Sequence, residues 1–180
     1  ESIIKASQII TSSLEMGQVQ QTILKIIVET AGARKCALIY NNSVEAEYYE
    51  ESPNKPVLQT CKNLAVKDWT NGSIRIVEYV QRTQNAIVLG NAVEQSLLFA
   101  NDPYIMQNNV MSILCLPISF QNKLVGALYV ENALMQDAFS QQRVNVLIVL
   151  SNQIAVAVSN AKFFKKEMQN AHEFSELRRV

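Results

Sequence analysis

The chain has 180 residues, of which 48% are hydrophobic and 18% charged, and its 16 basic residues balance 16 acidic ones. This length suits one domain with a sizeable core, and the composition is that of a globular protein. Net neutrality argues against a nucleic-acid partner, because nucleic-acid phosphates attract basic surfaces. Apolar runs stop short of the roughly 18 residues of a membrane span, and no signal peptide opens the chain. We therefore expect a soluble cytoplasmic protein with no membrane partner.

Two helices are predicted at the start of the chain. The stretches 2–14 and 18–31 both place apolar residues three and four positions apart, which is typical of a helix with one apolar face. Gly32 stands where a helix usually ends. Because the chain starts and stops inside helical patterns, we expect it to be a piece of a longer protein.

The middle of the chain alternates short strands with helical stretches. Short extended runs bounded by turn residues predict strands at 35–40, 44–49, 57–61 and 86–89. A helix is predicted over 73–83. Asp102-Pro103 is typical of a helix start, with Asp as the N-cap and Pro at the first helical position.

The stretch from Met111 to Asn132 predicts a hairpin around which the other elements are organised. Two apolar arms flank a turn at Gln121-Asn122. Neither arm alternates cleanly between apolar and polar residues, which predicts that both faces are covered, as in the centre of a sheet. A two-residue turn would pair Phe120 with Lys123.

This register assigns the hairpin residues to two faces. The first face would carry Ser112, Leu114, Tyr129 and Glu131, with Leu114 opposite Tyr129 and Ser112 opposite Glu131, and the second Ile113, Cys115, Gly126 and Leu128. The polar groups of the first face predict a place for a small polar ligand. The alternative, which we favour, is that Glu131 ends its strand in solvent, since charged residues are rarely buried unpaired. The missing side chain of Gly126 predicts that a helix packs closely on the second face.

The last helix is predicted from an N-cap at Ser140. Its first half is apolar enough to be buried against a sheet. Its second half narrows to one apolar stripe between charged residues, close to a coiled-coil seam. Helices, strands, helical insertions, central strands and a final helix together indicate an α+β domain with an antiparallel sheet layered between helices.

Patterns for catalysis or metal binding are missing from the sequence. The one histidine, His172, lies in the polar end of the last helix, so a Ser-His-Asp or Cys-His arrangement has no base nearby. There is no glycine-rich phosphate loop and no metal-ligand cluster. His172-Glu173 suggests the phosphoacceptor of a histidine kinase, but no Pro follows, and we interpret it as a solvated helix face. We predict no catalytic residue and no metal ligand, and the cofactor is left open.

Several segments together resemble a GAF domain, of the kind found between ATPase-like and histidine-kinase regions of large signalling proteins. The segments are Asp102-Pro103-Tyr104, Ser112-Ile-Leu-Cys-Leu-Pro-Ile118, Lys123-Leu-Val-Gly-Ala-Leu-Tyr-Val-Glu-Asn132, Ala138-Phe139-Ser140 and Gln153-Ile-Ala-Val-Ala-Val-Ser-Asn-Ala161. Segments 5–8, 29–33 and 79–83 fit the same subgroup. The resemblance therefore covers almost the whole chain.

The resemblance implies a three-layer α/β/α fold with a central, about six-stranded antiparallel sheet. The N- and C-terminal helices would share one face and mediate dimerisation, and a ligand pocket would lie on the other face under segments 62–72 and 90–110. The expected GAF domain covers 1–162, with N-terminal helices in 1–31 and the sheet and pocket insertions in 35–132. The helix of 140–180 would continue as a signalling or coiled-coil linker.

The function implied is a sensory or regulatory module. It would bind a small molecule and relay a signal through dimeric terminal helices to an effector, a kinase, in the same longer chain. The ligand is left open, because Asn122-Lys123 stands in a hairpin turn without the rest of the cyclic-nucleotide signature, and no Cys adjoins a His as in bilin-binding members. One alternative is a structural dimerisation domain whose own side chains fill the pocket.

Another alternative is a cysteine-based methionine sulfoxide reductase. It would need two of Cys36, Cys61 and Cys115 within disulfide reach. Cys36 and Cys115 lie in apolar strand contexts, so we expect both to be small buried core residues, and Cys61 to be more exposed.

We predict six residues to line the ligand pocket: Trp69, Asn91, Tyr104, Ser112, Tyr129 and Glu131. Trp69 is the only tryptophan. As a pocket residue it would be a stacking wall for a ligand. The alternative, which we favour, is a large hydrophobe that caps the core beneath a loop.

Overall fold

The computed structural model of the protein describes residues 16–94 and 97–179. The elements in these ranges are α1 (Met16–Ala31), β1 (Lys35–Tyr40), β2 (Ser43–Ser52), β3 (Lys55–Ala65), α2 (Ile74–Thr83), β4 (Ile87–Leu89), α3 (Pro103–Asn108), β5 (Ser112–Phe120), β6 (Lys123–Asn132) and α4 (Gln141–Leu177). A short 3₁₀ turn, Val66–Asp68, follows β3. The helix predicted at 2–14 lies outside the described residues.

Six strands form one antiparallel sheet in the order β3-β2-β1-β6-β5-β4. The predicted hairpin of β5 and β6 pairs with β1 on one side and β4 on the other, so it lies inside the sheet as expected. The two central strands, β1 and β6, are almost entirely buried. The predicted six-stranded antiparallel, GAF-like fold is confirmed.

The terminal helices α1 and α4 cover one face of the sheet. Their apolar sides meet the sheet in one core, which includes Ile23, Leu24 and Ile27 of α1, Leu38, Leu128 and Val130 of the sheet, and Leu147, Ile154 and Val158 of α4. Arg143 ties the ends of the two helices together, because its Nη1 donates to Ala31 O at 3.3 Å and to Ala138 O at 2.7 Å. Ser140 caps α4, as predicted.

The opposite face of the sheet carries a second core. There α2, α3 and the 3₁₀ turn pack on the sheet through buried side chains that include Val66, Val77, Val80, Ile105, Ile113, Ala127 and Tyr129. We call this side of the sheet the α2–α3 face. The 3₁₀ turn and α3 belong to the segments 62–72 and 90–110 that were predicted to cover a pocket, whereas α2 lies outside both.

A β-bulge makes the predicted register of the central hairpin wrong. Phe120 pairs with Lys123 as expected, but the register shifts between Ile118 and Ser119, so that Ile113, not Ser112, lies opposite Glu131. Cys115, not Leu114, lies opposite Tyr129. Because side chains alternate along a strand, this one-residue shift moves Ser112 and Leu114 away from the α2–α3 face and brings Ile113 and Cys115 onto it.

Gly126 lies next to this bulge. The element that packs closely against Gly126 is the strand β1 rather than the predicted helix. A Cβ placed on Gly126 would lie 1.9 Å from the carbonyl oxygen of Ile39 in β1. The strand backbones therefore approach too closely for any side chain at this position.

The end of α4 extends away from the domain. Ala161 is the last buried residue, and the apolar residues beyond it, Phe163, Phe164, Met168, Phe174 and Leu177, are exposed. The side chain of His172 is 72% exposed, which agrees with its interpretation as part of a solvated helix face.

Within the described ranges, α4 is the one helix long and apolar enough to cross a membrane by composition, although the sequence led us to expect none. Half of its apolar stretch is buried inside the domain. The core helix of a soluble protein has the same composition, so this is weak evidence for a membrane span.

Replacing Gly126 by Ala should destabilise the fold by about 2 kcal/mol or more, because the new methyl group overlaps the Ile39 carbonyl. Gly17→Ala is the matched control, since the nearest atom to a Cβ there is 3.8 Å away and Ala favours the helix. Urea unfolding of both variants measures the difference. Equal free energies of unfolding would contradict the close approach.

Candidate functional site

A buried carboxylate lies at the centre of the candidate site. Glu131, near the end of β6, is 1% exposed. The Tyr129 hydroxyl donates to its Oε2 at 2.7 Å, and the Tyr104 hydroxyl to its Oε1 at 2.8 Å. The ammonium of Lys35 lies 3.6 Å from Oε1. The interpretation that Glu131 ends its strand in solvent is therefore wrong, and its burial is compensated by two phenols and a cation.

Lys35 and Tyr104 complete this group. The Lys35 ammonium donates to the Tyr104 hydroxyl at 2.8 Å and lies 5.3 Å from the centroid of the same ring. The Tyr104 hydroxyl has one proton and two possible acceptors, Glu131 Oε1 and the Asn71 carbonyl oxygen, the second 3.1 Å from the hydroxyl oxygen. We call Lys35, Tyr104, Tyr129 and Glu131 the carboxylate cluster. It joins β1, β6 and α3 at one end of the sheet.

The environment of the carboxylate cluster favours the protonated forms of Glu131, Tyr104 and Tyr129. Burial raises the pKa of Glu131 above its usual value, against the opposing effects of Lys35 and the two phenols. Burial and the neighbouring Glu131 also raise the pKa values of Tyr104 and Tyr129. Both phenols therefore remain hydrogen-bond donors at neutral pH.

Two linked helix caps hold α2 and α3 beside the cluster. Asp102 caps α3, as predicted, and Ser73 caps α2. The Ser73 hydroxyl donates to Asp102 Oδ2 at 2.6 Å, and the Ser73 backbone N–H donates to the Tyr129 hydroxyl at 3.2 Å. The starts of both helices are thereby fixed against the sheet.

Trp69 packs directly over Tyr129. Its ring is 4% exposed and meets the Tyr129 ring edge to face, with 5.2 Å between centroids. Its Nε1 donates at 2.9 Å to Glu47, a second buried carboxylate, which also accepts from Gln59 and Asn71. This placement agrees with the favoured interpretation of Trp69 as a large hydrophobe that caps the core.

Four of the six predicted site residues come together, and two do not. Trp69, Tyr104, Tyr129 and Glu131 form one connected group. Asn91 is buried elsewhere, with its side chain accepting from Glu94 N at 3.2 Å. Ser112 has been moved away by the bulge, and its hydroxyl lies 2.6 Å from the Met135 carbonyl, where it ties loops together. Neither residue therefore belongs to this connected group.

Sequence reasoning missed Lys35 and Glu47. Lys35 opens a strand, where a charged residue is ordinary. Glu47 follows Glu45 at the alternate-residue spacing of a solvent-facing strand edge. Neither position carries a signal in the sequence, because the partners of both side chains come from distant parts of the chain.

Two clefts flank Tyr104. The first, of about 540 Å³, has a wall that includes Arg34, Lys35, Glu50, Asn54, Glu131 and Leu134, and we call it the edge cleft. The second, of about 710 Å³, has a wall that includes Trp69, Ile74, Arg75, Asp102, Tyr104 and Gln107, and we call it the helix cleft. Both volumes are in the range of small-molecule sites. Tyr104 of the helix cleft and Glu131 of the edge cleft are hydrogen-bonded to each other.

The three cysteines are not placed for disulfide chemistry. Cys61 and Cys115 lie on β3 and β5, about 19 Å apart across four strand spacings. Cys36 on β1 is two spacings, about 10 Å, from each of them, beyond the Cα separation that a disulfide can bridge. Cys36 and Cys115 are buried, as predicted, and Cys61 is more exposed. Burial, with smaller effects of Glu47 and Glu45, raises the pKa of the Cys61 thiol to about 11, which disfavours a thiolate.

Metal binding has no structural basis in the part of the chain that the structure describes. No group of three or more His, Cys, Asp or Glu side chains there is arranged to hold an ion.

The sequence profile of the GAF domain family matches residues 15–158, most of the chain. The chain belongs to the GAF domain family. This membership agrees with the sheet order and with the position of the two terminal helices.

Two curated relatives are histidine kinases. Hybrid signal transduction histidine kinase G of Dictyostelium discoideum is 38% identical over 103 residues, which cover 57% of this chain and 3% of that protein. Peroxide stress-activated histidine kinase mak2 of Schizosaccharomyces pombe is 26% identical over an alignment of 181 positions, which covers 91% of this chain and 7% of that protein. The chain thus spans a small fraction of the length of either relative. GAF domains of histidine kinases are signalling modules, and this chain is similar to them.

Solved structures share the fold at low sequence identity. The GAF domain of an Acinetobacter phosphoenolpyruvate-protein phosphotransferase has a TM-score of 0.61 and 17% identity, covering 92% of this chain and 95% of that chain. Free methionine-R-sulfoxide reductase from Neisseria meningitidis, in complex with its substrate, has a TM-score of 0.62 and 10% identity, covering 90% and 89%. At these identities the likeness establishes the fold alone.

Replacing Glu131 by Gln should change how stability depends on pH. Because folding raises the pKa of Glu131 above its ordinary 4.5, the native state binds more protons than the unfolded state between pH 4.5 and the folded pKa. The stability of the wild type relative to Glu131→Gln should therefore be greatest at and below pH 4.5 and should fall as pH rises through that window.

Chemical denaturation over a pH series measures this difference. Glu173→Gln makes the same substitution at an exposed position on α4 and is the matched control. A Glu131→Gln difference that increases with pH would contradict the assigned direction.

Proposed function

We propose that this GAF domain is a cytoplasmic sensory module that binds a small molecule beside Tyr104 and passes a signal through α4. One observation carries the proposal. Tyr104 in the wall of the helix cleft donates a hydrogen bond to the buried Glu131 in the wall of the edge cleft, and each cleft is large enough for a small molecule. A ligand that moved Tyr104 would change the hydrogen bonding of Glu131, which lies near the end of the central strand β6.

The helix cleft is the better ligand site of the two. Its wall combines two aromatic residues, Trp69 and Tyr104, with a cationic residue, Arg75. Sites of this kind hold a ligand by apolar contact and orient it with a few polar groups. In the edge cleft the charged side chains already pair, Arg34 with Glu50 and Lys35 with Glu131.

The effector is proposed to be a kinase in the same longer chain. Both curated relatives are histidine kinases, and this chain matches a short part of each. Signals pass between such regions through helices with more than one stable arrangement. α4 is suited to this role, because it packs on the sheet with its first half and extends beyond the domain with its second.

Dimerisation is proposed through the end of α4. An apolar stripe runs along the helix at alternating spacings of four and three residues, through Ala157, Ala161, Phe164, Met168 and Ala171. Its first two members are buried, and the rest are exposed beyond the domain. A stripe with this spacing is the seam of a coiled coil, so a second copy of the helix is the fitting partner.

A structural dimerisation domain is the second candidate function. It is favoured by the packing of Trp69 over Tyr129, which fills the middle of the α2–α3 face with the chain's own side chains. Reductase activity is the third, and it is suggested by the fold shared with free methionine-R-sulfoxide reductase. The wide separation of the cysteines weighs against a disulfide mechanism.

Native mass spectrometry of the 180-residue chain as purified tests ligand binding. We expect an additional retained mass, which Gln107→Phe should remove because Gln107 lines the helix cleft. Met106→Phe, an exposed neighbour on α3 outside that wall, should keep it. A chain with no retained mass that also gives no Trp69 fluorescence change with a metabolite library would favour the structural candidate.

Introducing charge into the seam tests dimerisation. Phe164→Glu combined with Met168→Glu should convert the dimer to a monomer, because carboxylates facing each other across a coiled-coil seam repel. Lys166→Glu is the matched control on an exposed position outside the stripe and should leave the dimer intact. Size-exclusion chromatography with light scattering reads the result, and a double variant that stays dimeric would place the interface elsewhere.

A further inference from the structure

Helix α4 leaves the domain at Lys162. Ala161, the residue before Lys162, is buried, and each described residue after Lys162 is exposed. Lys162 is therefore the last point at which α4 is held by the domain. Any change in how firmly this point is held alters where the free part of the helix begins.

Two side chains contact Lys162 directly, and two more support them. The Lys162 ammonium donates to Glu45 Oε1 at 2.7 Å and lies 4.5 Å from the centroid of the Tyr40 ring. The Tyr40 hydroxyl in turn lies 3.5 Å from Ser159 Oγ, one turn earlier on α4. Gln20 of α1 donates to the other Glu45 oxygen at 3.3 Å. Lys162 thus contacts the β1–β2 hairpin through a partly buried ion pair and a cation–π contact.

A β-bulge in β2 turns Glu45 towards α4. Leu38 pairs with Ala46 and Ile39 with Val44, so Glu45 is the extra residue between two paired positions. Val44 belongs to the core of the α2–α3 face, whereas Ala46 belongs to the core under α1 and α4. In a regular strand these two positions would share a face. The bulge thus changes the direction of the strand at the residue that meets Lys162.

The same hairpin contacts the turn that carries Trp69. The backbone N–H of Val66 donates to the Asn42 carbonyl at 3.1 Å, and the N–H of Trp69 donates to the Val66 carbonyl at 3.1 Å. Asn42 lies between Tyr40 and Glu45 in the chain. A short path of contacts therefore joins the wall of the helix cleft to the exit point of α4.

We propose that Glu45, Tyr40 and Lys162 form a latch that sets where α4 detaches from the domain, and that the Asn42 carbonyl couples this latch to the Trp69 turn. Opening the latch would release α4 from the domain at a point before Lys162. The part of the helix that extends beyond the domain would then be longer. The latch rests on the proposed function for its use in signalling. Its existence and its coupling to Trp69 can be measured without any ligand.

Hydrogen exchange of the α4 amides tests the latch in the 180-residue chain. Lys162→Met removes the ammonium but keeps an apolar side chain, and exchange of the amides of residues 159–166 should increase about three- to tenfold. Glu45→Gln should have a similar effect, and the double variant should add little to either single change. Lys162→Arg keeps the charge and the ring contact and should retain most of the protection.

Lys165→Met is the matched control, because Lys165 is an exposed cation on the same helix. It should leave the exchange of residues 159–166 unchanged. Equal exchange in Lys162→Met and Lys165→Met would overturn the latch.

Quenching of Trp69 fluorescence by acrylamide tests the coupling, since Trp69 is the only tryptophan. Coupling between two sites is reciprocal, so opening the latch should loosen the Trp69 turn and increase quenching in Lys162→Met but not in Lys165→Met. Faster exchange in α4 with unchanged quenching would overturn the coupling. Neither result depends on ligand retention, so a chain that binds no small molecule would contradict the proposed function and leave both measurements valid.

Discussion

The structure depends on keeping one carboxylate out of water. Burying the charge of Glu131 costs several kcal/mol unless hydrogen bonds and a cation compensate it. Tyr129 is two positions away, but the other two partners come from far along the chain, since Lys35 and Tyr104 are 69 positions apart and Tyr104 and Glu131 are 27 apart. Compensating one carboxylate therefore fixes the start of β1, the end of β6 and the position of α3 relative to one another. The helix cleft lies where it does because α3 is held there.

The two faces of the sheet are built on different principles. The face under α1 and α4 is held mainly by aliphatic packing, which is non-directional. The α2–α3 face combines an apolar centre with two buried carboxylates, Glu47 and Glu131, whose hydrogen bonds are directional. A small displacement breaks such bonds outright. This contrast supports the proposal that the α2–α3 face senses and the opposite face responds.

Two bulges decide which side chains reach which face. The bulge after Ile118 removes Ser112 from the α2–α3 face, and the bulge at Glu45 turns that carboxylate towards α4. Bulges shift the alternation of side chains by one residue, so every assignment beyond them reverses. They leave little trace in the sequence, because the extra residue has no required type. This is why the predicted hairpin was correct in its turn and wrong in its register.

The sequence by itself determined the order of elements, the Asp102 cap and the buried cysteines, because helix periodicity, turn chemistry and capping are local properties of the chain. The family followed from the resemblance of several segments to GAF domains. The sequence also pointed to Trp69, Tyr104, Tyr129 and Glu131, which the structure brings together in one connected group. Only the tertiary structure decided that Glu131 is buried and that Lys35 and Glu47 belong with it. Those facts depend on contacts between distant segments and on strand registers set by bulges, and no local pattern records either.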